Sequence, residues 1–380
     1  MTSPPKICFP FIGETIGGSH LSTLLLINHI DRQRFHPVIV LHRQGALSAF
    51  LGKQGISYEL LTIKNCVGRE IGFLHHTYAL MQAIIPIARF LRQNKIQIVH
   101  TQDMRMHLTW ALPAKLVRCR FIWHQRSIWS SSRLVRWVSR CADRTVVISD
   151  FISKQCPFPL RNPAITITNP FDTSSISQIM RPSISASLRQ EIHADANAKI
   201  IAFVGNYTQQ KRILLFLEIA AALIRQTDHP MKFVLFGEER EISGNEIDAM
   251  ANRLAIAPFL FRLGFRTPIE TWLAACDLLI APAVQEAHGR TLVESMLVGV
   301  PVIAAASGGH CEIIRHGETG WLVAPDQISE FVEAALRLLH DPILTSTIVK
   351  NANQSARQTY SIHSHVDTVC KLYDDLLYSG

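Results

Sequence analysis

Two glutamates, Glu286 and Glu294, are separated by seven residues, Gly289 among them, in the run LLIAPAVQEAHGRTLVESMLVGVPVIAAASGGHCEIIRHGETG of residues 278–320. A carboxylate can accept two hydroxyl hydrogen bonds at once, so a pair of them suits one sugar ring and one ribose. Gly289 permits close backbone approach where a helix over Arg290–Val298 is expected to begin. The first N–H groups and positive dipole end of such a helix, around Arg290, Thr291 and Leu292, make a phosphate seat. An isolated Glu pair reads as two solvated acids; two acids flanking a phosphate seat have the composition of a nucleotide-sugar site.

A second anion element lies in AFVGNYTQQKRILLFLEIA, residues 202–220, with Gly205 at the end of an expected strand and Lys211 at the start of a helix. A lysine there is a compact cation able to approach a diphosphate and stabilise charge developing on a leaving group. A third is GETIGGSH, residues 13–20, where Gly13, Gly17 and Gly18 precede a helix starting near Ser19 and His20. It lacks the GxGxxG pattern and a ribose-binding acid after the next strand, which argues against a nicotinamide dehydrogenase.

These residues need elements to hold them. Apolar or β-branched runs recur at Ile7–Ile12, Val38–His42, Ile96–His100, Phe121–His124, Thr145–Ser149 and Ile165–Asn169, with helical spacing between them. The series resumes at Ile200–Val204, Phe233–Phe236, Leu278–Ala281 and Pro301–Ala305, with helices at Arg212–Arg225, Arg290–Val298 and Ile328–Leu339. Alternation of this kind predicts α/β architecture: two doubly wound parallel-sheet domains, whose ligands lie beyond the carboxyl ends of the strands. A length of 380 residues agrees with two domains. We expect an N-terminal domain over 1–171 and an inter-domain connection over 172–199, where Thr173, Ser174, Ser175, Ser177, Pro182, Ser183, Ser185 and Ser187 cluster. A C-terminal domain over 200–358 and a terminal helical segment over 359–380 complete the chain.

Hydrophobic residues are 48% and charged residues 18%, with no long Gln, Ser or Gly run, which argues against extensive disorder. The start MTSPPKICFPFIGETIGG lacks the features of a secretory signal and no segment stays apolar for a membrane span, so a soluble, cytoplasmic protein is expected. The eight cysteines, Cys66 among them, follow no metal or disulfide spacing. The net charge of +8 suits anionic partners.

The 278–320 run resembles the E-x7-E signature of the retaining, family-four GT-B glycosyltransferases, and the likeness extends through the aligned glycines, Pro301 and the GGHCEIIRHGETGWLV continuation. It implies a GT-B fold, two Rossmann-like domains facing a central cleft. Glu294 would then bind the ribose hydroxyls and Glu286 the hydroxyls of the transferred sugar, with the Gly289–Leu292 backbone on the pyrophosphate. Lys211 resembles the lysine of the family's VGR…KG motif, but Asn206 stands at the arginine position and Arg212 at the following glycine. Arg212 restores the charge if it turns into the cleft; otherwise it is a solvated helix residue. His288, where the family commonly has phenylalanine, either tunes sugar selectivity or packs beside the loop. Gly237 ends the next strand, and FRLGFRT, Phe261–Thr267, resembles the base-binding segment, with backbone groups near Arg262 and Leu263 facing the base. IVHTQD resembles the family's HxH segment with Gln102 in the second place; an amide cannot exchange protons near neutral pH but can orient a sugar. NPFD, Asn169–Asp172, resembles the turn at the inter-domain crossing, and Ile362–Tyr378 would return to brace the N-terminal domain.

Lys211, Glu286 and Gln102 are therefore the candidates for the reacting centre. Ser19, His20, Asp103, His124 and Arg126 are candidates for the acceptor side, with purely structural roles equally open for Asp103 and His124. The helix expected around Arg133–Cys141 carries Arg133, Arg136 and Arg140 on one face and Leu134, Trp137, Val138 and Cys141 on another. That pattern fits a membrane-surface helix, a binding surface for an anionic acceptor, or an ordinary helix with its apolar face in the core and its arginines in water. The resemblance implies hexosyl transfer from a nucleoside-diphosphate sugar to a hydroxyl acceptor, lipid-linked or saccharide, with retention and without metal or cofactor, as in bacterial-type cell-surface polysaccharide or glycolipid synthesis. Asn206 and Gln102 motivate an alternative, a non-catalytic nucleotide-sugar-binding subunit that activates a partner transferase. A nucleotide-sugar epimerase is a more distant reading, and no nucleic-acid recognition module is present.

Overall fold

A computed structural model of the chain describes residues 3–63, 73–173 and 181–378. Cys66, Ser174, Ser175 and Ser177 lie outside them. The chain divides into one unit of Met1–Pro170 with Ile362–Gly380 and a second of Phe171–Ser361.

The first unit is built on a seven-stranded sheet: β1 Lys6–Phe11, β2 His36–Leu41, β3 Glu59–Leu60, β4 Ile96–Thr101, β5 Arg120–Gln125, β6 Arg144–Val147 and β7 Ile165–Thr166. The strand order is β3-β2-β1-β4-β5-β6-β7 and the pairings are parallel. The winding reverses between β1 and β4, the switch point where doubly wound sheets bind ligands. Pairing between these two strands stops at Cys8 with Val99, short of Pro10, which has no N–H to offer a ladder. The helix Ile362–Tyr378 belongs here: Val366, Val369 and Tyr373 are buried among Ile7, Phe9, Leu26 and Phe35.

The second unit holds a six-stranded sheet of β8 Lys199–Val204, β9 Met231–Phe236, β10 Leu260–Gly264, β11 Leu278–Ala281, β12 Val302–Ala305 and β13 Trp321–Val323. The order is β10-β9-β8-β11-β12-β13, also parallel, with its switch point between β8 and β11. Ile201, Phe203, Leu235 and Ile280 bury on one sheet face; Ile200, Ala202, Val234 and Leu279 bury on the other. Near-continuous apolar strands of this kind are what a sheet covered on both faces requires.

The expected connection over 172–199 needs correction. Arg181–Glu191 is a helix of the second unit, with Leu188 and the following Ile192 fully buried beside Ile200 and Val234. Its Glu191 accepts a hydrogen bond from Arg266 at 2.5 Å. Ile184, Leu188 and Ile192 stand four apart, a helical stripe that the serine-rich composition masks. Short strands β3, β10 and β13 also lie where no strand is expected, at or near sheet edges, where a short run carries little periodicity.

Candidate functional site

The two loops flanking the second unit's switch point carry the chemistry. Beyond β8, Lys211 Nζ donates to Glu286 Oε2 at 2.5 Å; Glu286 itself lies in the loop beyond β11. The loops are tied to one another: Gln210 Nε2 donates to the Gln285 carbonyl at 2.9 Å and Val284 N–H to the Gln210 carbonyl at 3.1 Å. A Cβ at Gly205 would sit 3.1 Å from Lys211 Cδ, so the glycine lets the lysine stem cross the loop toward the acid. The Glu286 carbonyl accepts the Gly309 N–H at 2.8 Å, which brings the loop after β12 alongside.

Gly289 caps the helix Arg290–Leu297 from the left-handed region, φ +111 and ψ 54, which an L side chain rarely adopts. The helix's positive end therefore opens beside Glu286. One turn in, Glu294 is buried and accepts from Arg290 Nη2 at 3.0 Å, while Arg290 lies 4.4 Å over the Phe171 ring.

The acids respond differently to their settings. Burial pushes the Glu286 carboxyl up, but the Lys211 ammonium beside it, helped by His310 and His288, overrides burial and holds it below its usual range. Burial dominates at Glu294 and raises it, although Arg290 and Lys211 oppose the shift. One acid is held ionised as a hydrogen-bond acceptor, and the other is poised for a ligand that supplies donors.

In the first unit, Gly17 precedes the helix Gly18–His29, with Ser19 and His20 in its first turn. The His20 ring lies 5.6 Å from Phe11, and burial, then Arg126 and Arg105, lower it to about 4. Beyond β4 and β5, Arg126 Nε donates to Gln102 Oε1 at 2.7 Å and Arg126 Nη1 to Asn169 Oδ1. His124 Nδ1 is 3.1 Å from His100 Nε2, and His100 Nδ1 is 2.7 Å from the Tyr373 hydroxyl.

The profile described as Glycosyl transferases group 1 matches residues 198–341, and that described as Glycosyltransferase Family 4 matches residues 16–174. The chain belongs to the group 1 GT-B glycosyltransferases. An uncharacterised glycosyltransferase of Methanocaldococcus jannaschii is 24% identical, the match covering 98% of this chain and 97% of the relative. The UDP-Gal:alpha-D-GlcNAc-diphosphoundecaprenol alpha-1,3-galactosyltransferase of Escherichia coli is 22% identical over 78% of this chain and 80% of its own length. Among solved structures, Anabaena HepE in complex with UDP shares the fold, with a TM-score of 0.81, 22% identity and coverage of 97% of this chain and 100% of that one. The GT-B expectation and the family resemblance hold.

Of the residues expected at this glycosyltransferase site, Gly205, Lys211, Glu286, Gly289, Arg290, Thr291, Leu292 and Glu294 gather on the two switch-point loops and the helix between β11 and β12. Others are engaged elsewhere. Arg212 donates to the Pro325 carbonyl at 2.6 Å and to the Asp326 carboxylate, so its charge does not replace the missing motif arginine. Asn206 Oδ1 accepts the Glu238 N–H at 3.2 Å, joining the loops after β8 and β9, where Gly237 follows the strand. On edge strand β10 the Arg262 side chain pairs with Asp248 and Glu239, and the Leu263 carbonyl accepts Arg266 Nε at 3.0 Å. Asp103 caps the helix Met104–Leu116, its Oδ1 accepting the Met106 N–H at 3.0 Å, which favours the structural role. Burial pushes its carboxyl up against that bond and Arg105.

His288 is buried, its ring 5.5 Å from Tyr360. Sequence reasoning missed His310, a buried ring close enough to Glu286 for the two titrations to bear on one another, whose Nδ1 meets the Ala305 carbonyl at 3.1 Å. Its signal was the GGH triplet at residues 308–310, which brings the loop after β12 against the Glu286 loop. Asn169 and Tyr373 were missed as partners of Arg126 and His100 because nothing local links them.

Proposed function

We propose that this glycosyltransferase moves a hexosyl group from a nucleoside-diphosphate sugar to a hydroxyl acceptor with retention of anomeric configuration and without a metal. The Lys211–Glu286 pair, set beside the positive end of the helix Arg290–Leu297, carries the reading. Lys211 keeps donor positions beyond the one given to Glu286, and these with the helix terminus meet the charge that builds on the departing diphosphate. Glu286, held ionised, accepts hydroxyls of the transferred sugar; Glu294 accepts those of the ribose. In a front-face displacement the sugar C1–O bond to phosphate breaks, the acceptor oxygen bonds to C1 on the same face, and its proton passes to the leaving phosphate oxygen. A separate protein base is then unnecessary.

The Escherichia coli relative's name points to polysaccharide or glycolipid assembly on a lipid carrier, and we extend that class of acceptor to this chain. Among the described residues no helix is long and apolar enough to cross a membrane. On the helix Arg133–Ser139, Trp137 is 57% exposed rather than buried with Val135 and Val138, and it shares the outer face with Arg133, Arg136 and the following Arg140. An exposed indole among arginines suits peripheral contact with an anionic cytoplasmic leaflet.

The deciding experiment measures nucleoside-diphosphate release from a panel of nucleotide-sugars, with and without lipid-extract acceptors, for the native chain, Lys211→Ala and Glu286→Ala. Acceptor-stimulated release that disappears in both variants is expected. Donor binding without release from any extract would overturn the reading.

A further inference from the structure

Thr101 of β4 pairs with Trp123 of β5, so Gln102 and His124 leave adjacent parallel strands side by side. Alternation along a strand then puts His100 and Gln102, and likewise His124 and Arg126, on one face of the sheet. The contacts agree: His124 meets His100, and Arg126 meets Gln102.

The Arg126 bond fixes which way the Gln102 amide points. Its carbonyl oxygen takes the Arg126 Nε–H, and its NH2 group is buried with no hydrogen-bond partner. His124 Nε2 is buried and without a partner as well. The two residues are 2% and 0% exposed. A buried polar atom left unmet costs about 1–3 kcal/mol, so an unmet amide donor and an unmet ring nitrogen on one sheet face, beside a guanidinium and at the carboxyl ends of the strands, call for a ligand.

The surrounding charge says which kind. His20, His100, His107, His124 and His365 are all held neutral, by burial first and by the Arg126 charge after it. Arg126 is thus the standing positive charge of the cluster. The Tyr373–His100–His124 chain can run in either direction; an anion at His124 selects the one in which Tyr373 donates to His100, His100 to His124, and His124 presents Nε2–H. The Gln102 NH2 group, a donor whichever way the chain runs, and the guanidinium beside it match an oxyanion better than a neutral hydroxyl. His365 adds one acceptor: its Nδ1–H donates to the Thr168 carbonyl at 2.8 Å, which leaves Nε2 for a hydroxyl of the same molecule.

We propose that Gln102 Nε2, His124 Nε2 and the Arg126 guanidinium form a subsite for a carboxylate or phosphate group carried by the acceptor molecule. The assignment to the acceptor rests on the transferase reading above; the oxyanion subsite itself does not.

The test titrates the full chain, labelled with 15N-histidine, with inorganic phosphate and separately with acetate, following the ring nitrogens of His124 and His100 by NMR. Saturable shifts are expected in the native protein and equally in Lys211→Ala, which removes the second unit's phosphate contact. Gln102→Glu, of nearly the same shape but bearing a negative charge, should weaken binding at least ~10-fold, and Arg126→Lys, which keeps the charge but loses the fork, by less. Unmoved His124 resonances in the native protein, a measurement that needs no variant, would overturn the subsite; so would native-like binding by Gln102→Glu. In transfer assays Arg126→Gln, on the acceptor side of the site, should raise KM for an acidic acceptor at least ~10-fold and leave the donor KM alone. A raised donor KM instead assigns the oxyanion to the donor diphosphate and overturns the acceptor assignment. Should transfer be absent altogether, the titration still decides the subsite.

Discussion

Lys211 and Glu286, 75 residues apart in the chain, meet at 2.5 Å across the switch point between β8 and β11. The pair joins the cation suited to a leaving phosphate to the acid suited to a sugar hydroxyl, so each partner's removal should be felt in the chemical step. Lys211→Ala and Glu286→Ala are each expected to lower kcat by about 10²–10³, the effect of deleting one charge-stabilising group, with circular dichroism unchanged.

The same pair has a pH signature. The folded Glu286 carboxyl sits below its ordinary value of 4.5. Its stabilisation is therefore fully present above that value and lost as pH falls through the depressed one. Urea unfolding of the native protein should weaken in that acid window, and Lys211→Ala, which releases the depression, should lose that part of the pH dependence. An unaltered acid limb in the variant would refute the coupling.

Glu294 should behave in the opposite sense. Burial raises its carboxyl above 4.5 in the folded state, so ionising it works against folding as pH rises through the raised value. Glu294→Gln keeps the shape and removes that cost, and is expected to change stability by less than about 1.5 kcal/mol while weakening nucleotide binding about tenfold or more. Paired denaturation and calorimetric titration with nucleoside diphosphates check both halves.

Gly289→Ala should damage fold and site together. At φ +111 the new Cβ would also lie 3.0 Å from His310 Cδ2 and 3.1 Å from Leu292 Cδ1. A loss of about 1–3 kcal/mol in urea unfolding is expected, with nucleoside-diphosphate affinity falling in parallel.

Arg212→Ala separates motif position from motif function. With its guanidinium on the Pro325 carbonyl and Asp326, the substitution should cost about 1 kcal/mol of stability and leave kcat/KM within about threefold. A hundredfold loss would show that the side chain reaches the donor.

Much of this protein is legible in one dimension. The alternation of apolar strands and helices, the glycine-rich loop after β1, Gly289 at the end of the loop after β11, and the seven residues that separate Glu286 from Glu294 determine the α/β class and the chemistry of the main site, because strand and helix periodicity and helix-terminus anion binding are local properties. Tertiary structure alone decided the rest. Parallel strands pair across long crossovers, so no local signal brings Lys211 to Glu286, Gln102 to Arg126, or Tyr373 of the last helix to His100. Arg212 occupies a motif position by sequence and is drawn off by Asp326, 114 residues away, because a long side chain goes to whichever buried or charged partner folding places within reach. Arg181–Glu191 likewise joined the second core through Leu188 and the adjoining Ile192, where apolar burial outweighed a composition that favours a loop.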